Sequence, residues 1–180
     1  SWLALQPLAV QNWLAATEFS AKLGDLALLQ VSDGQLSGAV LGFGTVAARA
    51  RQRFGLVKNI GKLPAGTWAL ASDLTPRDQD EFALGWFLAH YRFGAYKSIQ
   101  APPNVQSLRC PKACNGPKIL AMATAEYLTR DLINRPANDM GPEALEAAFR
   151  ALADSFGADY SVIKGDALLE QNFPLIHAVG

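Results

Sequence analysis

The sequence predicts an α/β protein with three parts: an N-terminal α/β domain with a mixed sheet flanked by helices, a long joining helix, and the start of a second α/β domain. Strand and helix signals alternate as far as about Tyr96, which is the pattern of an α/β domain. A break at Ala101-Pro102-Pro103-Asn104 follows, and residues 118–133 then show a helix pattern that is apolar on two sides. A chain of 180 residues has room for one full domain and part of a second.

A β-hairpin is predicted near the N-terminus. Two apolar runs, Leu26–Val31 and Ser37–Gly44, are separated by a segment that contains Asp33-Gly34. An Asp-Gly pair between two such runs is the strongest short-range hairpin signal, because the turn needs residues that accept a positive φ. Trp13–Phe19 is also rich in apolar side chains and is predicted as another strand.

The next elements are predicted from helix propensity and helix start signals. The segment from Thr45 to about Phe54 is rich in Ala and Arg, which favour a helix, and Thr67–Ala71 is predicted as an apolar strand. Thr75-Pro76 predicts the start of a longer helix, because Thr is a good N-cap and Pro fits the first helical position. Acidic side chains then lie near the positive end of the helix dipole, at Asp78, Asp80 and Glu81.

A long helix is predicted at Lys118–Ile133, and its two apolar sides indicate that it lies between two bodies. Pro136 disfavours helical geometry at Arg135 and so ends this helix. Pro142 is predicted to start a second helix that stops at Gly157. Signals for a strand, a short helix and another strand follow at Asp159–Ile163, Gly165–Glu170 and Leu175–Val179.

Composition and charge argue against several classes of function. Sixteen basic and sixteen acidic side chains give a formal net charge of zero, so no global field attracts the chain to nucleic acid or to an anionic membrane. No apolar run approaches the roughly 20 residues that a membrane-spanning helix requires. The segment Ser1–Leu5 lacks an initiator Met and the basic n-region of a signal peptide, and both ends are interpreted as trimmed.

Cys110 and Cys114 lie four residues apart in a segment that also contains Pro and Gly. A zinc site needs about four ligands, and the two histidines, His90 and His177, are distant in sequence. Two free thiols are therefore predicted, with a bridge formed on oxidation as the alternative. His90 lies among aromatic residues of a predicted helix and is expected to pack there, whereas His177 falls in the last predicted strand.

Three further motifs allow a functional or a structural interpretation. A polar cluster spans a helix end and a turn, where capping and turn chemistry explain it better than a metal site does; its members are Asp131, Asn134, Asn138 and Asp139. One basic run has no interleaved aromatic residues, and its members two apart diverge around a helix, which disfavours nucleic-acid binding; they are Arg49, Arg51, Arg53, Lys58 and Lys62. Gly42-Phe43-Gly44 follows a strand as a nucleotide-binding loop would, but Ala47 stands at the position of the third Gly.

The segment from Tyr127 to Leu145 reads YLTRDLINRPANDMGPEAL. It resembles the ARDLVN-x-P-x-NDM-(Thr/Ser)-P-x-x-L signature of the leucyl (cytosol) aminopeptidases, with Gly141 in place of the Thr or Ser. Two other stretches resemble the same family, LPAGTWAL at residues 63–70 and LGWFLAHYRF at residues 84–93. One departure is Asn172-Phe173-Pro174, where the family usually has a Gly-rich segment.

The resemblance implies a parent metal-dependent aminopeptidase that removes N-terminal residues from peptides and assembles as a homo-oligomer, a hexamer, in the cytosol. It implies an N-terminal α/β domain at residues 1–106, a connector and joining helix at 107–134, and the incomplete start of the catalytic domain at 135–180. Two divalent ions, manganese or zinc, act in this family, and their Lys, Asp and Glu ligands belong to motifs that this sequence lacks. No catalytic, cofactor-binding or metal residue is therefore predicted in this chain, whose own role is expected to be structural.

The alternative hypothesis is a stand-alone α/β module that binds nucleic acid or a nucleotide. The two hypotheses predict different behaviour in solution. A module should be a well-behaved monomer with a defined ligand, whereas part of a larger enzyme should expose its apolar stripes and self-associate.

Overall fold

A computed structural model of the chain describes residues 2–30, 35–96 and 105–179. The chain divides into two units, Ser1–Tyr127 and Leu128–Gly180. Among the described residues, four strands form two small sheets, both in the first unit, and helices make up most of the remaining regular structure. The predicted α/β class is confirmed, while several individual elements differ from their predictions.

The predicted hairpin is confirmed. Strand β1 (Leu26–Gln30) pairs antiparallel with strand β2 (Leu36–Leu41), and Leu28 lies opposite Ala39. The inward side chains of both strands contact the core of the first unit. The predicted turn at Asp33-Gly34 lies outside the described residues.

The predicted strand at Trp13–Phe19 is wrong, because helix α1 (Leu8–Ala16) occupies most of this segment. A short apolar run fits a buried strand and a buried helix equally well, and here Pro7 sets the helix start while Leu14 turns into the core. The Trp13 indole N–H donates to the carbonyl of Leu28 at 2.8 Å, which joins α1 to the hairpin.

A second small sheet joins two segments that are far apart in sequence. Helix α2 (Val46–Arg51), capped by Thr45, leads through two short 3-10 helices to strand β3 (Gly66–Trp68). Strand β3 pairs in parallel with strand β4 (Gln106–Leu108). The sequence predicted an exposed connector at the position of β4, because three residues are too few to show a period.

Helix α3 (Pro76–His90) is confirmed, with Thr75 as N-cap accepting from the backbone N–H of Asp78. One side of α3 forms the main core of the first unit together with residues of the two 3-10 helices and the following turn; its buried members are Val57, Ile60, Leu63, Phe82 and Trp86. The strands of both sheets pack against this cluster. Burial of such side chains is the principal stabilising term of the unit.

Helix α4 (Gly116–Ile133) agrees with the predicted joining helix. It buries Ile119 and Ala123 against Ala83 and Leu84 of α3, which forms a second core. These buried residues belong to one of the two predicted apolar stripes. The side chain of Leu120, on the same half of the helix, is 55% exposed.

The second unit contains helix α5 (Pro142–Phe156), helix α6 (Ala167–Glu170) and helix α7 (Pro174–Val179). Gly157 ends α5 with φ +61°, as its sequence position predicted. The predicted strand at Asp159–Ile163 is wrong, since this segment is irregular and finds no described strand to pair with. The predicted strand at Leu175–Val179 is also wrong, because Pro at the first helical position starts α7.

Candidate functional site

The best-defined polar site of the first unit is the place where the loop before α4 attaches to α3. The side-chain oxygen of Gln79 accepts from the backbone N–H of Ala113 at 3.0 Å, and Asp80 Oδ1 accepts from the N–H of Asn115 at 2.9 Å. Asn115 Oδ1 in turn accepts from the N–H of Lys118 at 3.2 Å and so caps α4. Two side chains of α3 therefore satisfy loop amides and fix the start of α4. We call this set of contacts the α3–α4 junction.

Both cysteines belong to the junction. Cys114 is half-buried beside the second core, while Cys110 is exposed. Burial, followed by hydrogen bonding of the thiol to Asp80 and the proximity of Cys110, raises the pKa of Cys114 to about 12. The Cys110 sulfur also lies close to Gly116, where an added Cβ would be 3.2 Å from it. Cys114 is thus held as a protonated thiol in contact with its neighbour.

A second pair of contacts joins α4 to the end of α3. The Tyr127 hydroxyl donates to the carbonyl of Phe87, and the Tyr127 ring lies against the Tyr91 ring with centroids 5.2 Å apart. Tyr127 is half-buried and combines apolar packing with one directed hydrogen bond, so this contact fixes rotation as well as distance. Helix α4 is therefore attached to α3 near residue 115 and again near residue 127.

His90 lies at the C-terminal end of α3 and makes structural contacts. Its Nδ1 is 2.7 Å from the carbonyl oxygen of Trp86, and its ring stacks on the Trp86 indole with centroids 5.5 Å apart. Its Nε2 is 3.1 Å from Gln106 Oε1, and Gln106 Nε2 donates to the carbonyl of Leu63. The other histidine, His177, lies in α7, 3.4 Å from a carboxylate oxygen of Asp166.

The polar cluster spans the last turn of α4, which contains Asp131, and the turns at residues 134–139 that follow it. The Asn138 amide donates to Asp139 Oδ1 at 3.1 Å, the N–H of Asp139 donates to the carbonyl of Pro136, and Asn134 closes the last turn of α4 through its backbone N–H. Within residues 2–30, 35–96 and 105–179, no three His, Cys, Asp or Glu side chains are grouped as a metal site would require.

The basic run is partly engaged by its own chain. The Arg49 guanidinium donates to the carbonyls of Phe43 and Gly44 at 3.2 and 3.1 Å and lies 3.9 Å from the Phe43 ring centroid. Arg53 lies 3.8 Å from a Glu81 carboxylate oxygen and covers the Phe54 ring. These contacts use hydrogen-bonding groups that a nucleic acid phosphate would need.

The Gly42-Phe43-Gly44 segment has a structural reason for its glycines. A Cβ on Gly42 would lie 2.0 Å from the Lys22 carbonyl oxygen, and Gly44 has φ +64° and sits against Leu23. The two segments of chain cross here at backbone contact distance, which only Gly allows. The glycines of this motif therefore allow residues 21–24 to approach closely. The Arg49 guanidinium already donates hydrogen bonds to the carbonyls of Phe43 and Gly44.

The sequence profile of the M17 aminopeptidase N-terminal domain matches residues 1–108. The chain belongs to the M17 aminopeptidase family. This agrees with the family resemblance found at residues 63–70, 84–93 and 127–145. The profile covers the hairpin, α3 and β4, and it therefore includes the α3 side of the α3–α4 junction but not the loop that attaches to it.

Two comparisons extend the M17 assignment beyond the N-terminal domain. A probable cytosol aminopeptidase of Chelativorans sp. (strain BNC1) is 29% identical over 169 residues, which cover 83% of this chain and 34% of that protein. The crystal structure of a cytosol aminopeptidase from Coxiella burnetii matches with a TM-score of 0.80 and 31% identity, covering 99% of this chain and 38% of that one.

A further solved structure similar to this chain contains a metal. The bottromycin maturation enzyme BotP, in complex with Mn, matches with a TM-score of 0.64 and 27% identity over 87% of this chain and 36% of its own. The chain therefore spans about a third of the length of the relatives it matches. Among its described helices, none is long and apolar enough to cross a membrane.

Sequence reasoning missed four side chains that join separate elements of the M17 chain. Asp80 was noticed only for its position near the helix dipole, and Gln79, Gln106 and Tyr127 were not singled out. Their partners are backbone groups 34 to 43 residues away, apart from the His90 contact of Gln106. No local sequence pattern identifies such a partner. A Gln followed by an Asp near a helix start, as in Gln79-Asp80, is a pattern worth testing.

Proposed function

We propose that this chain is the N-terminal portion of a metal-dependent leucyl aminopeptidase that hydrolyses N-terminal residues from peptides. The observation that carries the proposal is the match to the M17 N-terminal domain at residues 1–108. The alignment of 99% of the chain with 38% of a cytosol aminopeptidase supports it. In this proposal residues 1–106 form the N-terminal domain, 107–134 the connector and joining helix, and 135–180 the start of the catalytic domain.

The role of this portion is structural. It presents α4 in a fixed orientation on α3 through the contacts of Asp80, Asn115 and Tyr127 with their partners, and it supports assembly of the parent as a hexamer in the cytoplasm. In this proposal the metal ligands and catalytic groups of the parent lie outside these 180 residues. The parent would bind two divalent ions, manganese or zinc, and the Mn complex of BotP favours manganese as the first ion to test.

The alternative function, a stand-alone module for nucleic acid or a nucleotide, gains no support. Arg49 and Arg53 are engaged by neighbouring groups, and the glycines of the loop at residues 42–44 serve a chain crossing. Formal net charge is zero, so no general attraction for phosphates compensates for these contacts.

The test compares this chain with the protein encoded by the complete reading frame. Hydrolysis of leucine p-nitroanilide is measured for both after removal of metal with EDTA and after addition of Mn²⁺ or Zn²⁺. The complete protein should be inactive without metal and active when a divalent ion is restored, while the 180-residue chain should be inactive throughout. Metal-dependent hydrolysis by the chain alone, or no hydrolysis by the complete protein, would falsify the proposal.

Light scattering coupled to size-exclusion chromatography tests the assembly. Light scattering should give the complete protein a molar mass six times that of its subunit. A monomeric complete protein that is fully active would remove the proposed role of residues 1–106 in assembly and leave the aminopeptidase proposal standing.

A further inference from the structure

The cysteine pair of the junction is a reactive feature for which the proposed aminopeptidase activity has no use. Cys110 is exposed and Cys114 is half-buried, and the Cys110 thiol donates to the carbonyl of Pro111, with the sulfur 3.7 Å from that oxygen. The turn between them is closed by the N–H of Cys114, which donates to the carbonyl of Pro111 at 3.1 Å. The Cys110 sulfur and the backbone of Cys114 therefore meet at one carbonyl group of the same turn.

We propose that Cys110 and Cys114 form a reversible intramolecular disulfide by exchange with a low-molecular-weight disulfide such as glutathione disulfide, and that this bond modifies the α3–α4 junction. A disulfide needs the sulfur atoms to approach to about 2.05 Å with suitable Cβ directions. Two cysteines that share one acceptor within a five-residue turn are near enough for side-chain rotation and adjustment of the turn to bring their sulfur atoms to this distance. The site is independent of the proposed metal chemistry.

The exchange proceeds in two balanced steps. The Cys110 thiolate attacks one sulfur of glutathione disulfide, which forms a mixed disulfide and releases one glutathione thiolate. Cys114 then loses its proton and attacks the Cys110 sulfur, which forms the Cys110–Cys114 bond and releases the second glutathione. The pair gives up two electrons and two protons, and the glutathione disulfide becomes two glutathione molecules.

The environment of each thiol determines in which of the two steps it reacts. Cys110 meets the reagent first because it is exposed, whereas Cys114 is shielded by the second core. The pKa of Cys114, raised to about 12, keeps its thiolate fraction small, and this fraction limits the rate of the second step. The rate of ring closure should therefore rise roughly tenfold per pH unit in the neutral to mildly alkaline range, because the thiolate fraction rises by that factor.

Formation of the bond changes what holds the loop to α3. Cys114 hydrogen-bonds to Asp80, whose carboxylate also accepts from the N–H of Asn115. Oxidation removes the thiol proton, so Asp80 keeps only the backbone donor. The new bond meanwhile restricts the loop immediately before the Asn115 cap of α4.

The experiment uses the 180-residue chain, equilibrated in glutathione buffers of defined oxidised-to-reduced ratio. Samples are quenched with acid, free thiols are alkylated, and intact mass spectrometry counts them. The expected result is a monomer with no free thiol and no bound glutathione in oxidising buffer, which returns to two free thiols with excess glutathione. Two alkylated thiols at every ratio, persistent mixed disulfides, or disulfide-linked dimers would each overturn the proposal.

Variants separate the steps and control for folding. Cys114→Ser should stop at the mixed disulfide on Cys110, and circular dichroism verifies that it folds. Asp80→Asn should accelerate ring closure several-fold, because the negative charge beside Cys114 is removed while an acceptor for Asn115 remains. Asp73→Asn is the matched control, since Asp73 is exposed and precedes α3. Equal rates for the Asp80 and Asp73 variants would contradict the assigned role of Asp80.

Discussion

Gln106 Oε1 lies 3.1 Å from His90 Nε2, and through this contact the first residue of β4 is joined to the last residue of α3. The same Gln106 amide donates to the Leu63 carbonyl at 2.6 Å, just before β3. Only 7% of Gln106 is exposed, and it is buried where a helix, a strand and a turn meet. A buried amide that bridges three elements specifies the register of the β3–β4 pair as well as its stability.

Replacing Gln106 by Ala should lower the free energy of unfolding of the first unit by about 1–3 kcal/mol, because the Leu63 carbonyl loses its buried donor. Urea unfolding followed by tryptophan fluorescence measures the change. Gln171→Ala is the control, since Gln171 is exposed in the second unit. Equal midpoints for the two variants would show that the bridge does not contribute.

Replacing Tyr127 by Phe should weaken the attachment of α4 by about 0.5–1.5 kcal/mol, because one hydrogen bond to the Phe87 carbonyl is lost while the ring contact with Tyr91 remains. Native-state hydrogen exchange at the amides of Ile119 to Ala123 measures the change as faster exchange. Tyr160→Phe removes a hydroxyl from the second unit and should leave those amides unaffected. The prediction fails if both variants exchange alike.

Replacing Gly42 by Ala should destabilise the first unit by about 1–3 kcal/mol or more, because the new Cβ would lie 2.0 Å from the Lys22 carbonyl oxygen and backbone must move. Gly38 offers the matched control within β2. A Cβ there meets nothing within 4 Å, so Gly38→Ala should be neutral or slightly stabilising. Thermal unfolding temperatures of the two variants, measured side by side, test whether Gly42→Ala alone destabilises the unit.

Glu146 should make the second unit sensitive to acid. A hydrogen bond from Tyr160, followed by one from Arg150, lowers the pKa of its carboxyl. A carboxyl whose pKa is lower in the folded state stabilises above its unfolded pKa of about 4.3, and this contribution is lost as pH falls through the folded value. The free energy of unfolding of the unsubstituted chain should therefore exceed that of Glu146→Gln by the full difference at pH 7. This difference should shrink below about pH 4.3.

The same titration of Glu143→Gln provides the comparison, because Glu143 is exposed in the first turn of α5. Urea midpoints between neutral and acidic pH measure both variants. If the urea midpoints of the unsubstituted chain and of Glu146→Gln differ by the same amount at every pH, the assigned role of the Tyr160 and Arg150 contacts is contradicted.

Elements with strong end signals could be predicted from the sequence, and elements without them could not. Thr75-Pro76 and Gly157 mark a helix start and a helix end by their own backbone preferences, and both were predicted correctly. Trp13–Phe19 and Leu175–Val179 are short apolar runs whose period does not separate strand from helix. Helix α1 follows Pro7 and α7 begins at Pro174, and these prolines were not used as helix start signals.

The family could be predicted because its motif at residues 127–145 depends on side chains in a fixed order. The α3–α4 junction could not, because Gln79 and Asp80 bind backbone N–H groups of residues 113 and 115. Every residue except Pro offers such a group, so the sequence contains no mark of which one is bound. Strand β4 was missed for a related reason, since its partner lies 40 residues earlier.

The buried residues of both cores in the first unit lie between Val57 and Ala123. Translation adds about 5–20 residues per second, and α3 leaves the ribosome some seconds before the residues that attach α4 to it. The contacts at Asn115 and Tyr127 can then form on an existing helix, before any residue of the second unit has to be in place. The first unit is thereby suited to fold during synthesis, before the residues after Tyr127 are complete.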